Sequence, residues 1–399
     1  LTPIQQTFYQ WDLSKPNHFN QSIMLKARDG FHDGVLKKAL KALVTQHDIL
    51  RSVYIDGKQV IRKIEGGELF SLEKFDFRDL SDKEIQEKVI EKSNEIQSSI
   101  DLAKGPLMKA ALFRTSTYDH ILICIHHLVV DGVSWRILIE DFMTAYEQLL
   151  SDYPITLPKK TASYLEWSEA LIEHSQCEEI ESEARYWKRI NAEIQKSKLN
   201  VESNVLENGF GEIKFVLNQK KTKDLLYEVG KAYNTQMNDI LIAALGSTVK
   251  LWNGQTKVAV LMEGHGREKI NKTIDINRTV GWFTCTYPII IETSDDLEKN
   301  IIKTKEMFRH IPSNGMNYIV MKHLTNYFET DIEPDLSFNY MGEWDNEISR
   351  EDRIVVSELS CGRNSAIENM QDYFISVNAS ILKGKLEFTL GYNKSRFNQ

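Results

Sequence analysis

An apolar stretch that ends in two histidines constrains the fold of this chain more than any other feature. Residues 120–126, HILICIH, are apolar on both faces of an extended strand, which is typical of a central strand in a sheet. A tight loop over 127–132 follows. The pattern then predicts a helix over 133–153, with large apolar side chains on one stripe and Ser134 as a candidate cap. A strand, a loop and a helix in this order indicate a mixed α/β fold.

The remaining residues alternate helices and strands without a repeat. The spacing predicts helices over 34–50, 83–99, 219–232 and 237–252, and strands over 107–113, 211–217, 257–262, 285–292, 334–340, 352–357 and a hairpin of 372–380 with 385–392. Residues 151–185 carry prolines, a lysine pair and an acid-rich stretch, so we place a boundary between two lobes there. The first lobe is expected over 1–175 and the second over 176–399.

Composition excludes several classes of protein. With 399 residues, 42% of them hydrophobic, the chain has ample apolar material for a large core. A formal charge of −8 argues against a nucleic-acid or anionic-membrane partner, since both demand a basic face. The four cysteines form no CxxC pair, so no metal site is expected. Such scattered cysteines are typical of reduced thiols in a cytoplasmic protein. The absence of a signal pattern and of a 20-residue apolar run agrees with that location, and the start on Leu1 suggests a piece of a longer protein.

The histidine pair is the first candidate for chemistry. Because successive strand residues point to opposite faces, only one of His126 and His127 can line a given cavity, where an imidazole can act as a general base near neutral pH. Asp131, four residues later, could orient an imidazole or pair with an arginine. The competing interpretation is a hydrogen-bonded histidine pair in the core, without a catalytic role.

A second candidate, EGHGRE at 263–268, directly follows the apolar strand residues 258–262. Glu263 is the first polar residue beyond this strand, as His127 is beyond its own. Two titratable groups at two strand ends, one in each lobe, would face each other across a cleft, as a proton-transfer enzyme requires. The alternative is a glycine-rich turn with solvated charges. Two aromatic segments, RTVGWFTCTYP at 278–288 and FNYMG at 338–342, could add a hydroxyl that stabilises an oxyanion, or could simply pack in the core.

Taken together, these segments resemble the epimerization domains of nonribosomal peptide synthetases, within the condensation-domain superfamily. HHLVVDGVSW at 126–135 matches the superfamily motif HHxxxDG, and its Ser-Trp ending favours the epimerization branch; the other three segments match further motifs of that branch in the right order. Weaker matches are HDILR at 47–51 and GPL at 105–107. Two departures are Thr7 in place of the usual Trp and the loop 312–319, where two glycines of the pattern PxxGxGYG are replaced.

The resemblance implies an architecture and a reaction. It implies two chloramphenicol-acetyltransferase-like lobes in a V-shaped pseudo-dimer with a central tunnel. A peptidyl carrier protein would insert a phosphopantetheine arm bearing an L-aminoacyl or peptidyl thioester, and the domain would remove the Cα proton and return it on the other face to give an L/D mixture. The domain itself would bind no cofactor or metal. Its partners would be the carrier protein and neighbouring synthetase domains, and the excised domain is expected to be monomeric.

The resemblance also implies roles for individual residues. Proton transfer on the two faces of the planar intermediate would fall to His127 and Glu263, with Tyr340 as the third catalytic residue. Support of the enolate or substrate is expected from Asn339, His265 and Trp135. A structural part in the motifs is expected of four others: His126, Asp131, Gly132 and Arg267.

Two other functions compete with epimerization. A condensation domain uses the same HHxxxDG to form an amide, but it has no need of an acid at Glu263. A catalytically silent module for carrier docking would share the fold without the proton-transfer pair. A freestanding trimeric acetyltransferase fits least, because the chain is far longer than such a subunit.

Overall fold

The computed structural model describes residues 1–65, 67–200, 209–271, 273–328, 332–343, 353–371 and 375–397, and it divides into two compact units. The first unit comprises Leu1–Ala170, Asn271–Phe283 and Asn346–Asn369; the second comprises Leu171–Ile270, Thr284–Asp345 and Met370–Gln399. Each unit contains one large sheet with helices packed against it, which confirms the predicted mixed α/β fold with two sheet-containing lobes. The sequence predicts a single division of the chain, at residue 175. In the structure two later segments, Asn271–Phe283 and Asn346–Asn369, also belong to the first unit.

The predicted helices and strands recur in the predicted order, and the described residues also form five helices and four strands that the sequence patterns did not predict. The helices are α1 (Pro3–Gln10), α2 (Asp33–Gln46), α3 (Asp82–Ser98), α4 (Gly132–Leu150), α5 (Tyr164–His174), α6 (Glu178–Ile194), α7 (Gln219–Asp224), α8 (Gly230–Tyr233), α9 (Met237–Asn253), α10 (Leu297–Arg309) and α11 (Met316–Leu324). The strands are β1 (Asn20–Ala27), β2 (Ser52–Ile55), β3 (Lys58–Ile61), β4 (Ser71–Asp76), β5 (Met108–Arg114), β6 (Asp119–His126), β7 (Phe210–Val216), β8 (Lys257–Gly264), β9 (Cys285–Glu292), β10 (Leu336–Glu343), β11 (Ile354–Val356), β12 (Ile375–Leu382) and β13 (Lys385–Asn393).

The opening segment of the first unit ends at Ala170, within the stretch 151–185 where the sequence predicts a boundary. The acid-rich part of that stretch opens α6, whose first turn carries Glu178, Glu179 and Glu181, where acidic side chains favour the positive end of the helix dipole. The predicted hairpin is confirmed over the described residues of its two strands, while 372–374 lie outside them.

In the first unit β6 is the middle strand of the order β11-β1-β6-β5-β4, which confirms its predicted central place. All eight residues of β6 are buried. One side of this sheet packs on the apolar residues of α3, in a cluster of Met24, Ile85, Val89, Ile96, Ala111, Phe113 and Leu122. A strand hydrogen-bonded on both sides is a rigid platform for the two histidines at its end.

Helix α4 begins where the sequence predicts, but its cap is a different residue. Asp131, not Ser134, is the N-cap: its Oδ1 accepts the backbone N–H of Ser134 at 2.7 Å. The Ser134 hydroxyl instead donates to the carbonyl oxygen of Gly281 at 2.8 Å. The carboxylate is the better cap here because it also satisfies a second backbone amide, that of Phe283 at 3.0 Å.

A buried ionic network holds the segment 271–283 in the first unit. Asp141 of α4 is fully buried; its Oδ1 contacts the Arg278 guanidinium at 2.5 Å, and its Oδ2 accepts from Nε2 of His47 at 2.8 Å. Arg278 also reaches the exposed Glu140 at 2.8 Å. This network explains why a segment distant in sequence belongs to the first unit.

In the second unit the sheet has the order β7-β13-β12-β10-β8-β9. Strands β8 and β10 are neighbours and run parallel, with Leu336 opposite Val260 and Phe338 opposite Met262. Because the carboxyl ends of parallel strands meet at one edge of a sheet, this pairing brings EGHGRE and FNYMG together.

The four cysteines are all free. Within the described ranges, the helices lack the combination of length and apolar composition that crossing a bilayer requires.

Substituting Asp141 tests the buried network. We expect Asp141→Ala to lower the free energy of unfolding by about 3–5 kcal/mol, because the Arg278 charge and the His47 N–H lose a buried partner. Glu140→Gln removes the exposed partner of the same arginine and should cost about 0–1 kcal/mol. Urea unfolding followed by far-UV circular dichroism measures both, and equal losses in the two variants would contradict the assignment.

Candidate functional site

His127 occupies the end of β6, where the chain turns into a short 3-10 segment over His127–Val129. Its backbone N–H donates to the carbonyl of Phe19 at 2.9 Å. The imidazole stacks on the Phe19 ring at a centroid distance of 5.2 Å and meets the Trp282 ring at 4.4 Å. The ring is half-buried between these aromatic faces, which fix its plane.

A glutamine and a tryptophan complete the surroundings of His127. The Trp135 indole N–H donates to Oε1 of Gln21 at 2.9 Å, and Nε2 of Gln21 lies 2.8 Å from Nε2 of His127. Sequence reasoning missed Gln21, because it lies on β1 and reaches His127 only through the pairing of β1 with β6, in which Gln21 is opposite Ile125.

The surroundings favour a neutral His127. Burial lowers the pKa of its imidazole, while the backbone oxygens of His127 and Val130 and the charge of Asp131 oppose that shift. A neutral ring near pH 7 has one nitrogen lone pair, so His127 can accept a proton.

His126 cannot accept a proton near neutral pH. Its Nε2 lies 2.9 Å from the carbonyl oxygen of Pro16, and its Nδ1 accepts from the N–H of Leu128 at 3.2 Å. Burial lowers the pKa of this imidazole to about 3. Both ring nitrogens are occupied, so His126 anchors the loop.

Asp131 and Gly132 differ in what they contribute to the loop. The Asp131 carboxylate ties the loop to α4 and to Phe283 through the two backbone hydrogen bonds described above. At Gly132, the first residue of α4, a Cβ would meet no atom within 4 Å, so close packing does not require the missing side chain.

In the second unit, the carboxyl ends of β8 and β10 line a cavity of about 670 Å³. Three of the predicted site residues, Glu263, His265 and Tyr340, lie on its wall. Further polar lining comes from residues that sequence reasoning did not single out, namely Gln236, Asp239, Glu268, Arg309 and Asn314.

Glu263 has the electrostatics of a proton-transfer group. Its side chain is exposed at the cavity, and partial desolvation by the cavity wall raises the pKa of the carboxyl group to about 7. Asn339 donates from Nδ2 to Oε2 of Glu263 at 2.8 Å, which favours the charged form and orients the group. Near neutral pH the two protonation states are therefore both populated, so the residue can act as acid or base.

Tyr340 follows Asn339 on β10 and is half-buried at the same cavity. Burial and the nearby Glu343 charge raise the pKa of its hydroxyl. The phenol therefore stays protonated at neutral pH and can donate a hydrogen bond to a developing negative charge.

The glycine-rich turn after Glu263 orders His265. Gly266 adopts a φ of +63°, a conformation that favours glycine, and the Arg267 backbone N–H donates to Nδ1 of His265 at 3.0 Å. Nε2 of His265 lies 3.3 Å from Oε1 of Glu268. The His265 side chain is exposed at the cavity wall.

The structure thus brings the candidate residues together in two groups, one in each unit. Glu263, His265, Asn339 and Tyr340 come together in the second unit, and His126, His127, Asp131 and Trp135 come together in the first. The predicted opposition of His127 and Glu263 across a cleft stays a prediction.

The altered loop 312–319 has a structural explanation. Ser313 and Asn314 take positive φ angles of 43° and 48°, and the chain then enters α11. Asn317 and Ile319, which replace the two glycines, are buried residues of this helix. Oδ1 of Asn317 lies 2.8 Å from Nε2 of His174, and Nδ2 of Asn317 donates to Oε1 of Glu183 at 2.9 Å.

In the part of the chain that the structure describes, one group of three side chains of the kinds that bind metals lies close together. Ligand atoms of His174, Cys177 and Glu179 all lie within 4.8 Å of one another. His174 and Cys177 are already joined by a 3.5 Å contact, and Glu179 accepts from Ser313 at 2.9 Å, so hydrogen bonds account for the cluster.

Comparison with known proteins identifies relatives over the whole chain. The family model described as "Condensation domain" matches residues 1–399. Surfactin synthase subunit 2 from Bacillus subtilis (strain 168) is 39% identical over 407 residues, and gramicidin S synthase 1 from Brevibacillus brevis is 38% identical over 421. Both matches cover 100% of this chain but only 11% and 38% of those proteins. The crystal structure of the epimerization domain from the third module of tyrocidine synthetase B superposes with a TM-score of 0.91 at 36% identity, covering 100% of this chain and 92% of that one.

The hydrogen bond from Asn339 predicts how Glu263 titrates. We expect Asn339→Leu to raise the Glu263 pKa above 7, because the charged carboxylate loses a donor while burial still disfavours it. The measurement is a ¹³C NMR pH titration of side-chain carboxyl carbons, with Glu263→Gln assigning the resonance. Asn378→Leu, on the neighbouring strand β12, is the matched control. A Glu263 pKa that Asn339→Leu leaves unchanged would contradict this account.

Proposed function

This chain belongs to the condensation-domain family found in nonribosomal peptide synthetases, and on that premise we propose that it epimerizes the Cα of an L-aminoacyl or peptidyl thioester on a carrier protein. The observation that carries the proposal is Glu263, a carboxyl group with a pKa of about 7 at a cavity that Tyr340 also lines. The tyrocidine epimerization domain, similar over the full chain, supports the same activity.

The reaction needs a base and an acid on opposite faces of the substrate. The base removes the Cα proton; the electron pair of the broken C–H bond moves into the carbonyl and gives a planar enolate. Return of a proton to the other face inverts the centre. His127, neutral at pH 7, and Glu263, partly protonated there, are the two groups that we assign to these steps.

The enolate oxygen needs a donor that is already in place. A preorganised donor in a site shielded from water contributes about 3–4 kcal/mol to transition-state stabilisation. Tyr340 is the donor that we assign, since its phenol stays protonated. Asn339 is a positioning residue, because its amide already holds the Glu263 carboxylate.

The substrate would arrive on a phosphopantetheine arm delivered by a peptidyl carrier protein, with the domain holding no cofactor of its own. Neighbouring synthetase domains and a cytoplasmic setting belong to the same proposal. This part of the proposal rests on the relatives named above. They are long synthases, and this chain spans 11% of one and 38% of the other.

The second candidate function is amide formation. It is compatible with the HHxxxDG segment at 126–132 and with the match to the condensation-domain family model. Neither of these distinguishes a condensation domain from an epimerization domain. Condensation places no demand on an acid at Glu263, and for that reason epimerization accounts for more of the observed site.

Isotope exchange tests the proposal directly. The protein is mixed in D₂O with carrier protein loaded with an L-aminoacyl group. The thioester is then hydrolysed, and chirality and Cα deuterium are measured by mass spectrometry. We expect deuterium in both isomers and accumulation of the D-isomer, with D-isomer formation reduced at least 100-fold by His127→Ala and by Glu263→Gln.

Glu212→Gln, which makes the same chemical change on the edge strand β7, is the control and should keep full activity. Deuterium uptake without inversion in one variant would identify the residue that reprotonates the second face. No exchange with any of several loaded amino acids, together with amide formation when a second loaded carrier is added, would replace epimerization by condensation.

Tyr340→Phe tests the assigned enolate donor. We expect kcat for exchange to fall about 10²–10³-fold, with little change in the dependence of rate on carrier concentration, because the donor acts chiefly on charge that develops in the transition state. Steady-state exchange rates at varied carrier concentration measure this. An increase in KM alone would assign Tyr340 to binding.

A further inference from the structure

Gln21 connects a buried indole to the His127 imidazole. Trp135 is a buried residue of α4, and its indole N–H donates to Oε1 of Gln21 at 2.9 Å. On the other side of the same amide, Nε2 lies 2.8 Å from Nε2 of His127. The three residues form one continuous chain of hydrogen bonds within the first unit.

The indole fixes which way the amide points. An indole nitrogen only donates hydrogen bonds, so the Gln21 oxygen must face Trp135. The opposite orientation would set two N–H donors against each other at 2.9 Å. The amide NH₂ therefore faces His127.

The amide in turn fixes the tautomer of His127. An NH₂ group can only donate, so Nε2 of His127 must present its lone pair and the ring proton must be on Nδ1. Nδ1 is buried and lacks a hydrogen bond of regular geometry, so the contact between Gln21 and Nε2 is the one that selects the tautomer.

We propose that Gln21 is a positioning residue that holds His127 as the Nδ1–H tautomer, with the basic lone pair on Nε2. This role rests on the proposed function, in which His127 accepts a proton from the substrate carbon or donates one to it. Trp135 acts one step further away, by orienting Gln21. The imidazole is thereby ready to accept a proton at one defined nitrogen when substrate displaces or shares the Gln21 hydrogen bond.

The test replaces the donor by an acceptor of the same shape. In Gln21→Glu one carboxylate oxygen can still accept from Trp135, while the other now faces His127 and favours a proton on Nε2. We expect ¹⁵N NMR of histidine side chains to show protonated Nε2 in place of the unprotonated Nε2 of the unsubstituted protein, and a higher His127 pKa. Other groups around the ring are Asp131, whose charge acts in the same direction in both proteins, the neutral His126, and the uncharged rings of Phe19 and Trp282.

Trp135→Phe is the second variant. It removes the indole N–H and leaves the amide free to turn its oxygen toward His127, so we expect a mixture of the two tautomers with no added charge. Gln86→Glu, which makes the same change at an exposed position of α3, should leave the His127 spectrum and the exchange rate unchanged. Circular dichroism verifies that each variant is folded.

Activity gives the readout that a structural role would not produce. For Gln21→Glu we expect deuterium exchange at pH 7 to fall at least 10-fold, with the low-pH limb of the rate profile displaced upward by the same interval as the His127 pKa. An unchanged tautomer in both variants overturns the proposal, and so does a changed tautomer with an unchanged rate profile. If the unsubstituted protein shows no exchange, epimerization fails, and the NMR result alone decides whether Gln21 sets the tautomer.

Discussion

The two backbone hydrogen bonds to Asp131 are the contacts on which the surroundings of His127 depend. Oδ1 caps α4 through Ser134 and Oδ2 holds the N–H of Phe283, so one carboxylate joins the end of the central strand, the following helix and a segment about 150 residues later. A buried carboxylate that accepts two amides is strongly oriented, because each lost bond would leave a buried group unsatisfied. Trp282, next to Phe283, then lies against the His127 ring, and Trp135 reaches Gln21.

The group of residues around Glu263 depends on a different constraint, the parallel pairing of β8 with β10. That pairing brings two motifs some 75 residues apart to one edge of the sheet, where Asn339 donates to Glu263. The Glu263 side chain is exposed at the cavity on this edge, and partial desolvation by the cavity wall raises the pKa of its carboxyl group to about 7. Each unit therefore combines a titratable group with one amide side chain that orients it: Gln21 at His127, and Asn339 at Glu263.

Much of the fold and the site could be predicted because the signals were local. The unbroken apolar run of β6 indicated a strand buried on both faces, and the stripe after Gly132 indicated α4. Where two nearby residues were both of a capping type, the prediction was wrong: Asp131 caps α4 instead of Ser134, and its carboxylate also accepts the N–H of Phe283. Helix α6 was not predicted, because its acid-rich first turn lacks an apolar stripe, although the same acids stabilise that turn.

By itself the sequence determined the order of helices and strands, the motifs at the strand ends and the residue types available for proton transfer, since all of these depend on near neighbours in the chain. Tertiary structure alone decided the environments of those residues. Gln21 lies 106 residues from His127, and Asn339 lies 76 from Glu263. Strand pairing, which no local pattern encodes, sets both contacts, and the tautomer of one group and the pKa of the other follow from them.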